Sequence, residues 1–537
     1  MKRLLATVLI AGAGAVAAVP TPASADGGAG ALVSTYGNCG TLAATGLSSR
    51  YSSELDVLAS GPDGGVAGAG ASNTNLVVMR LRPDGSPDPA FGAGGTAVVP
   101  VGRQVGVTGV ALGASGNVVV QAGYFGEADN NRHTMLVRLR PDGTLDPTFG
   151  GGSGILLDSL PAAGDSDAGK IALTPAEEIV ATGDADGHMA VARYTPAGTL
   201  DPTFGTGGIA SPTGDTPFSS ALAVALLDDG DLIVTGHANR SLAVARLNAD
   251  GTSDGAFGTN GVQLATPPAG AEARSIVIYG DGRIVVAGYG NNINGDQLLL
   301  ARYTDAGQLD PTFGNGGFVF GPDIGAARFG DVGLALRADG SLLTSGAYPA
   351  AGFGPVGLAS FGSDGSVDTG FGVAGFSAFD FQAQQLRDLV LLPDGSALAA
   401  SSLNYISAVS RFADTGDALA AAAVQPVACQ GAVATKTITQ LLKTGKGARY
   451  GKLRVVPKLV QAGSVHLTAK VTTGGRSAPI PAINFQSDTG GSRSIELPLS
   501  AIDKRLLRTA RSASVSFTVS GTNGGGAAAT FTKTLKR

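Results

Sequence analysis

The chain has 537 residues, 43% hydrophobic and 15% charged, with 83 glycines, no tryptophan and a net charge of −5. That length supports a large core and a second domain, while so much glycine and so little charge exclude a chain of long surface helices. Two cysteines, Cys39 and Cys429, exclude a cysteine cluster.

Residues 1–25 read as a secretory signal: Lys2 and Arg3, an apolar run from Leu4 to Val19, then Ala23-Ser24-Ala25 before Asp26. Small residues interrupt the run, and Pro20 and Pro22 follow it, which argues against a membrane anchor. No later segment approaches 18 strongly apolar residues in a row, so no membrane span is expected. The mature chain is expected to be secreted or associated with the cell envelope. Residues 26–35 form a short lead.

From residue 36 to about 420 one pattern recurs. Leu-Asp-Pro-Thr-Phe-Gly is intact at Leu145–Gly150, Leu200–Gly205 and Leu309–Gly314, and altered at Pro87–Gly92, Ser253–Gly258 and Val367–Gly372. Its phenylalanines, Phe91, Phe149, Phe204, Phe257, Phe313 and Phe371, lie 53 to 58 residues apart, a period that fixes architecture before any local reading. Each unit holds four short strand candidates. The middle two flank Asp63-Gly64, Asp229-Gly230, Asp281-Gly282, Asp339-Gly340 and Asp394-Gly395, with Ser115-Gly116 and Ala176-Glu177 as variants. Asp-Gly between apolar runs predicts a hairpin with a two-residue turn. The fourth strand ends in Arg80, Arg138, Arg193, Arg246 or Arg302, and Asp88, Asp146, Asp201, Asp254 or Asp310 follows eight residues later. Repetition assigns these pairs to a structural brace, because catalysis needs a site once and a scaffold needs a brace in every unit.

The expected fold class is therefore all-β: a seven-bladed β-propeller of four-stranded blades with a repeat of about 55 residues, followed by a small β-sandwich. An open solenoid is the competing arrangement. Tyr36-Gly37 is a worn copy of Phe313-Gly314 and lies 55 residues before Phe91, which favours a closed ring. Closure would bring Cys39 and Cys429 together, and an exported chain permits a disulfide. The run Ala190-Val191-Ala192-Arg193-Tyr194 through Leu200–Gly205 and Thr206-Gly207-Gly208 resembles the bacterial delta-60 repeat family. That resemblance covers residues 36–420 and implies exported propeller-type repeats, with no shared activity or catalytic residue.

Strand direction alternates, so the Asp-Gly hairpins and the Asp-Pro-Thr-Phe-Gly turns share one face. The loops of the other face vary freely, which marks it as the place where a ligand is discriminated. Tyr124, Asp129, His133, Asp184, Asp186, His188, His237, Asn239, Tyr289, Asn292, Asp296 and Tyr348 are the candidates there. No two of the histidines show ligand spacing within one loop, so no metal is expected. Asp184-Ala185-Asp186-Gly187 and Asn292–Asp296 miss most of the calcium-loop pattern. Gly-x-Ser-x-Gly and the P-loop are both missing, and no cofactor is expected.

After a linker over 421–430 the repeat stops. Val465, Leu467, Ala469 and Val471 alternate with polar residues, as do Ala513, Val515, Phe517 and Val519, which predicts antiparallel strands. Ser500 and Asp503 predict a helix start into Lys504–Arg511. Residues 431–537 resemble the small immunoglobulin-like modules of actinobacterial exported proteins. They carry 17 Lys and Arg against Asp488, Glu496 and Asp503, a net +14, while the mature remainder stands near −21. A basic module suits anionic cell-wall polymer; nucleic acid is not expected, since no aromatics interleave with the charges. The leading expectation is a non-enzymatic propeller binding a protein or glycan through its variable face. The alternative is a metal-assisted lyase or lactonase.

Overall fold

In the computed structural model the described residues are 41–43, 53–412 and 438–536, apart from internal stretches of which the longest are 324–331, 348–355, 499–511 and 522–528. Cys39, Cys429, Tyr348 and the helix expected over Lys504–Arg511 lie outside them.

The first blade shows the local logic. β1 is Thr41–Ala43, and β2 (Ser53–Ser60), β3 (Val66–Ser72), β4 (Asn75–Leu81) and β5 (Thr96–Pro100) form one antiparallel sheet in sequence order. In β2 to β5 most valines, leucines and alanines are buried, as β-branched and small apolar side chains sandwiched between neighbouring sheets should be; Val98 of the outer strand is exposed. Five further sheets repeat this order, opening at Val105, Ala168, Ser219, Ala271 and Leu334. The seventh contains Ala383–Leu391, Ala397–Leu403 and Ile406–Phe412, and its fourth strand is β1, paired Thr41↔Ser410 to Ala43↔Ala408. The chain is a seven-bladed β-propeller closed by its own beginning.

The repeat and the blade are out of phase by one strand. The segment after each Phe-Gly pairs with the strand before it, as β5 pairs with β4, and so finishes the preceding blade. The Asp-Gly hairpins also differ from the expected two-residue turn. Gly64 has φ 76° while Asp63 has no positive φ. Gly61 N–H donates to Gly65 O (2.8 Å) and Gly64 N–H to Gly61 O (3.0 Å), which is a type I turn followed by a left-handed glycine.

Seven apolar clusters occupy the seven junctions between blades. Six hold one signature phenylalanine each, from Phe91 between blades one and two to Phe371 between six and seven, all at most 2% exposed. Leu55, Leu392, Leu398 and Val409 fill the seventh, between blades seven and one. Four of the rings, Phe149, Phe204, Phe257 and Phe313, lie against a turn glycine of the next blade: a Cβ on Gly198, whose φ is 84°, would come within 2.7 Å of Phe149. The arginines cross the same junctions. Arg138 Nε binds Asp146 Oδ2 at 2.8 Å, its Nη2 donates to Thr148 Oγ1 at 2.9 Å, its Nη1 donates to Pro196 O of the next blade, and its guanidinium lies 4.9 Å from the Phe149 ring centre. Arg193 and Arg302 repeat this with Asp201 and Asp310, both at 2.7 Å. Where the threonine is missing, the guanidinium turns partly to the Asp-Gly hairpin: Arg80 lies 3.3 Å from Asp88 and 3.4 Å from Asp63, and Arg246 3.2 Å from Asp254 and 2.8 Å from Asp231. In blade seven Arg411 Nη1 donates to Asp84 O of blade one at 2.7 Å, so the clasp runs across the closing junction.

The described residues of 438–536 are also β. Gly463–Thr473, Arg476–Ser487, Ser512–Gly521 and Ala529–Lys536 form one four-stranded sheet, and Ile438–Thr444, Arg449–Val456 and Ile495–Pro498 a three-stranded one.

Phe149→Ala is expected to cost about 3–5 kcal/mol, the range for emptying a buried aromatic site. Gly198→Ala should cost about 1–3 kcal/mol, from positive φ and from the clash with the ring. The double variant should cost less than the sum, because removing the ring removes the clash. Strictly additive losses in calorimetric melts would show that ring and turn are independent.

Candidate functional site

The inner strands of blades one to five each depart from regular pairing at one place, and that of blade seven at two. Register shifts leave an extra residue at Asp56, Thr108, Leu222 and Arg274, and two residues against one at Gly169-Lys170 and Arg387-Asp388. A bulge re-aims a side chain, and here bulges furnish the polar groups of the central channel. Lys170 of blade three reaches across the axis to Asp388 of blade seven (3.0 Å) and to Ser275 of blade five (3.2 Å). Arg387 binds Asp56 of blade one at 2.9 Å. Leu58 N–H donates to Asp388 at 3.2 Å.

On the variable face a cavity of about 980 Å³ opens at the channel mouth, bounded by blades two to five. Thr108, Leu222 and Arg274 bring three bulges to it, and the loops before the inner strands of blades three and four add Asp165, Asp167 and Phe218. Thr108 Oγ1, Ser220 Oγ and His237 Nδ1 line it as buried polar atoms without a hydrogen-bond partner. Buried polar atoms are nearly always paired, so three orphans in one cavity mark a place where something else supplies the partner. Phe125 and Phe218 stand at the rim, 60% and 77% exposed. Phe218 has φ 56°, a costly conformation for a bulky residue. Its carbonyl accepts from Asn239 N–H (3.2 Å), and the next residue's N–H donates to Gly187 O (3.0 Å).

Burial dominates the electrostatics. It pushes the Asp184 carboxyl up to about 6, with neighbouring Asp167 adding to the rise and the Gly187 N–H opposing it. Asp167 is raised by burial as well, against the attraction of Arg132, whose Nη1 contacts it. His237 is lowered by burial, which keeps the imidazole neutral. Both arginines are engaged: Arg132 N–H donates to Asp165 (2.7 Å) while its guanidinium meets Asp167, and Arg274 pairs with Glu272 at 2.8 Å.

Comparison with known proteins addresses the repeat and leaves the cavity open. The domain of unknown function (DUF5122) beta-propeller matches residues 61–91, 115–149, 178–204, 227–257 and 280–313. The chain is a β-propeller repeat protein. Among solved structures the propeller is similar to a glucose dehydrogenase (14% identity, 69% of this chain and 98% of that one, TM-score 0.34). It is also similar to the calcium-binding protein regucalcin of Agrobacterium tumefaciens (15%, 57% and 90%, 0.33). An α-L-arabinofuranosidase of Fusarium graminearum is a third such structure (9%, 70% and 97%, 0.37). Likeness at this level carries no argument about chemistry. No curated protein matches the chain.

Of the residues expected on the variable face, the propeller brings Tyr124, Asp184, Asp186 and His237 to the cavity. Asp129 and His133 join a separate cluster on blade two. His133 Nε2 lies 3.1 Å from Asp129, its Nδ1 2.9 Å from Asp158, and its ring stacks on Tyr124. The Asn131 N–H, then His133, holds Asp129 below its ordinary range. The Tyr124 hydroxyl donates to Asp158 at 2.8 Å, and burial with that carboxylate pushes it up to about 12. Asn239 and Arg240, both at positive φ, make a two-residue hairpin turn, as do Asp186 and Gly187. His188 opens a strand with its buried Nδ1 unpartnered, outside the cavity lining. Tyr289 packs against the core between blades five and six, and Asn292 and Asp296 flank the turn of a hairpin. Sequence reading passed over Thr108, Arg132, Ser220, Glu272 and Arg274, all inside strands. It passed over Phe218 too, which a search for aromatics in non-repeating loops would have found. Among the described residues no group of three or more His, Cys, Asp or Glu is placed to hold a metal ion, and no helix is long and apolar enough to cross a membrane.

Because Asp184 is raised from 3.8 to about 6, the folded chain holds this proton more tightly than the unfolded chain does. Its contribution is most favourable below about pH 4 and is lost as pH rises through about 6. Asp184→Asn is therefore expected to raise stability at neutral pH by about 1–3 kcal/mol, with the difference vanishing near pH 4. Thermal melts across that range check the sign, and a loss of stability at neutral pH would contradict it.

Proposed function

We propose that the chain is an exported, non-enzymatic propeller that binds a glycan or protein partner through its variable face, with the channel-mouth cavity as the recognition site. One observation carries the reading. The orphaned polar atoms Thr108 Oγ1, Ser220 Oγ and His237 Nδ1 converge on the cavity beneath two exposed phenylalanines. Convergent polar groups in a concave site with an apolar rim are the ordinary make-up of a binding pocket. The opposite face spends its side chains on the clasp between blades. Residues 431–537, with their net +14, would hold the protein near anionic envelope polymer.

Capture from envelope fractions tests the face. The double variant Phe125→Ala, Phe218→Ala should lose the captured partner at least tenfold while melting normally, since both rings are exposed. Unchanged capture would place the binding surface elsewhere. For the basic module, the full chain should sediment with cell-wall material at low salt and be released as salt rises, and a chain ending at residue 430 should not sediment. Salt-independent retention would remove the electrostatic anchor.

A further inference from the structure

The cavity's composition narrows the ligand. Asp165, Asp167, Asp184, Asp186 and Glu272 line it against two arginines, both engaged by carboxylates of the same set. A ligand with its own carboxylate or phosphate would meet this excess of negative charge with no disengaged guanidinium to receive it. Ser220 is 5% exposed and its hydroxyl is orphaned, while Thr108 Oγ1 and the neutral His237 imidazole stand ready to donate or accept. Such groups match hydroxyls, which both donate and accept. Asp184, 8% exposed, is the deepest carboxylate of the lining. A cation beside it would offset the desolvation and the Asp167 repulsion that oppose its charge. Phe125 and Phe218 offer apolar faces of the size of a sugar ring, and about 980 Å³ lies at the upper end of the roughly 300–1,000 Å³ typical of small-ligand sites. The Lys170–Asp388 bridge spans the channel axis, which leaves the variable face as the route of entry.

Resting on the binding reading above, we propose that this cavity takes a saccharide bearing a free amino group, with its ammonium beside Asp184, its hydroxyls on Ser220, Thr108 and His237, and a ring face on Phe218. A hexosamine unit supplies all three elements at once. A neutral sugar supplies only two, and an extended peptide would leave the hydroxyl-matching floor unused.

Titration calorimetry on the full chain tests this with a glucosamine trimer, its fully N-acetylated counterpart and a glucose trimer. The glucosamine trimer should bind at least tenfold more tightly than either of the others. Asp184→Asn and Ser220→Ala should each weaken it about tenfold, with melts showing both variants folded. Asp142→Asn, an exposed carboxylate in a turn of the opposite face, should change nothing. Equal binding of all three sugars, full affinity in Asp184→Asn, or an equal loss in Asp142→Asn would overturn the amine assignment. So would no binding of the glucosamine trimer. If that happens while envelope capture still depends on Phe218, the ligand class falls and the binding face stands; if capture is indifferent to Phe125 and Phe218, the face itself falls.

Discussion

Everything in this molecule depends on the junction between one blade and the next. A single four-stranded sheet leaves both faces apolar and cannot stand alone in water. The solution is a phenylalanine wedged into six of the seven junctions. At those of Phe149, Phe204, Phe257 and Phe313 a glycine turn of the neighbour receives the ring, and on Phe149, Phe204 and Phe313 the arginine of the same unit stacks. The Arg138, Asp146, Thr148, Phe149 and Gly198 set shows why the repeat tolerates so little change. Each member presupposes the others, and the guanidinium reaches two blades at once. Its buried charge is tolerated because a carboxylate, a hydroxyl and a carbonyl satisfy its donors.

That solution consumes one face and releases the other. The hairpin and signature turns are committed to the clasp, so their sequences converge. The loops opposite have no such duty, and Phe218 can occupy a strained conformation there because Asn239 and Gly187 tie down the backbone on either side. The bulges give the channel a chemistry of its own without disturbing the junctions. An extra residue turned inward leaves the strand on both sides in normal pairing. Asp56, Lys170 and Arg387-Asp388 use that freedom to tie opposite and adjacent blades, while Thr108, Leu222 and Arg274 use it to build the cavity.

The division between what sequence reading reached and what it missed follows the same physics. The ring, its seven blades and the pairing of Arg with Asp eight residues on are local patterns repeated until they stand above noise. Tyr36-Gly37 pointed to closure because a repeat that begins mid-unit implies its missing part elsewhere. The blade phase was not legible, since it depends on which strand a segment pairs with and not on its own residues. The hairpin type was missed because Asp-Gly suits two turns that differ in one φ. For the cavity, Asp184 and His237 were found because each stands two residues before a hairpin turn, Asp186-Gly187 or Asn239-Arg240, that the sequence marks. Thr108, Ser220 and Arg274 were passed over because inside an apolar strand they read as ordinary alternation; for Thr108 and Arg274 only a register shift reveals where they point, and Ser220 is placed by its pairing with His237.

The pairing of Thr41–Ala43 with Ile406–Phe412 joins the earliest-made strand of the ring to the latest. Until the whole repeat region has been synthesised, the seventh sheet lacks its outer strand and the first strand lacks any partner. Contacts this distant in sequence are slow to form, because the entropy of closing the loop must be met before the pairing repays it. A truncated product, whichever end it lacks, would therefore expose a bare strand edge of the kind that recruits other chains. The architecture thus distinguishes finished molecules from unfinished ones: only the full repeat set covers the edge of Ile406–Phe412 with Thr41–Ala43.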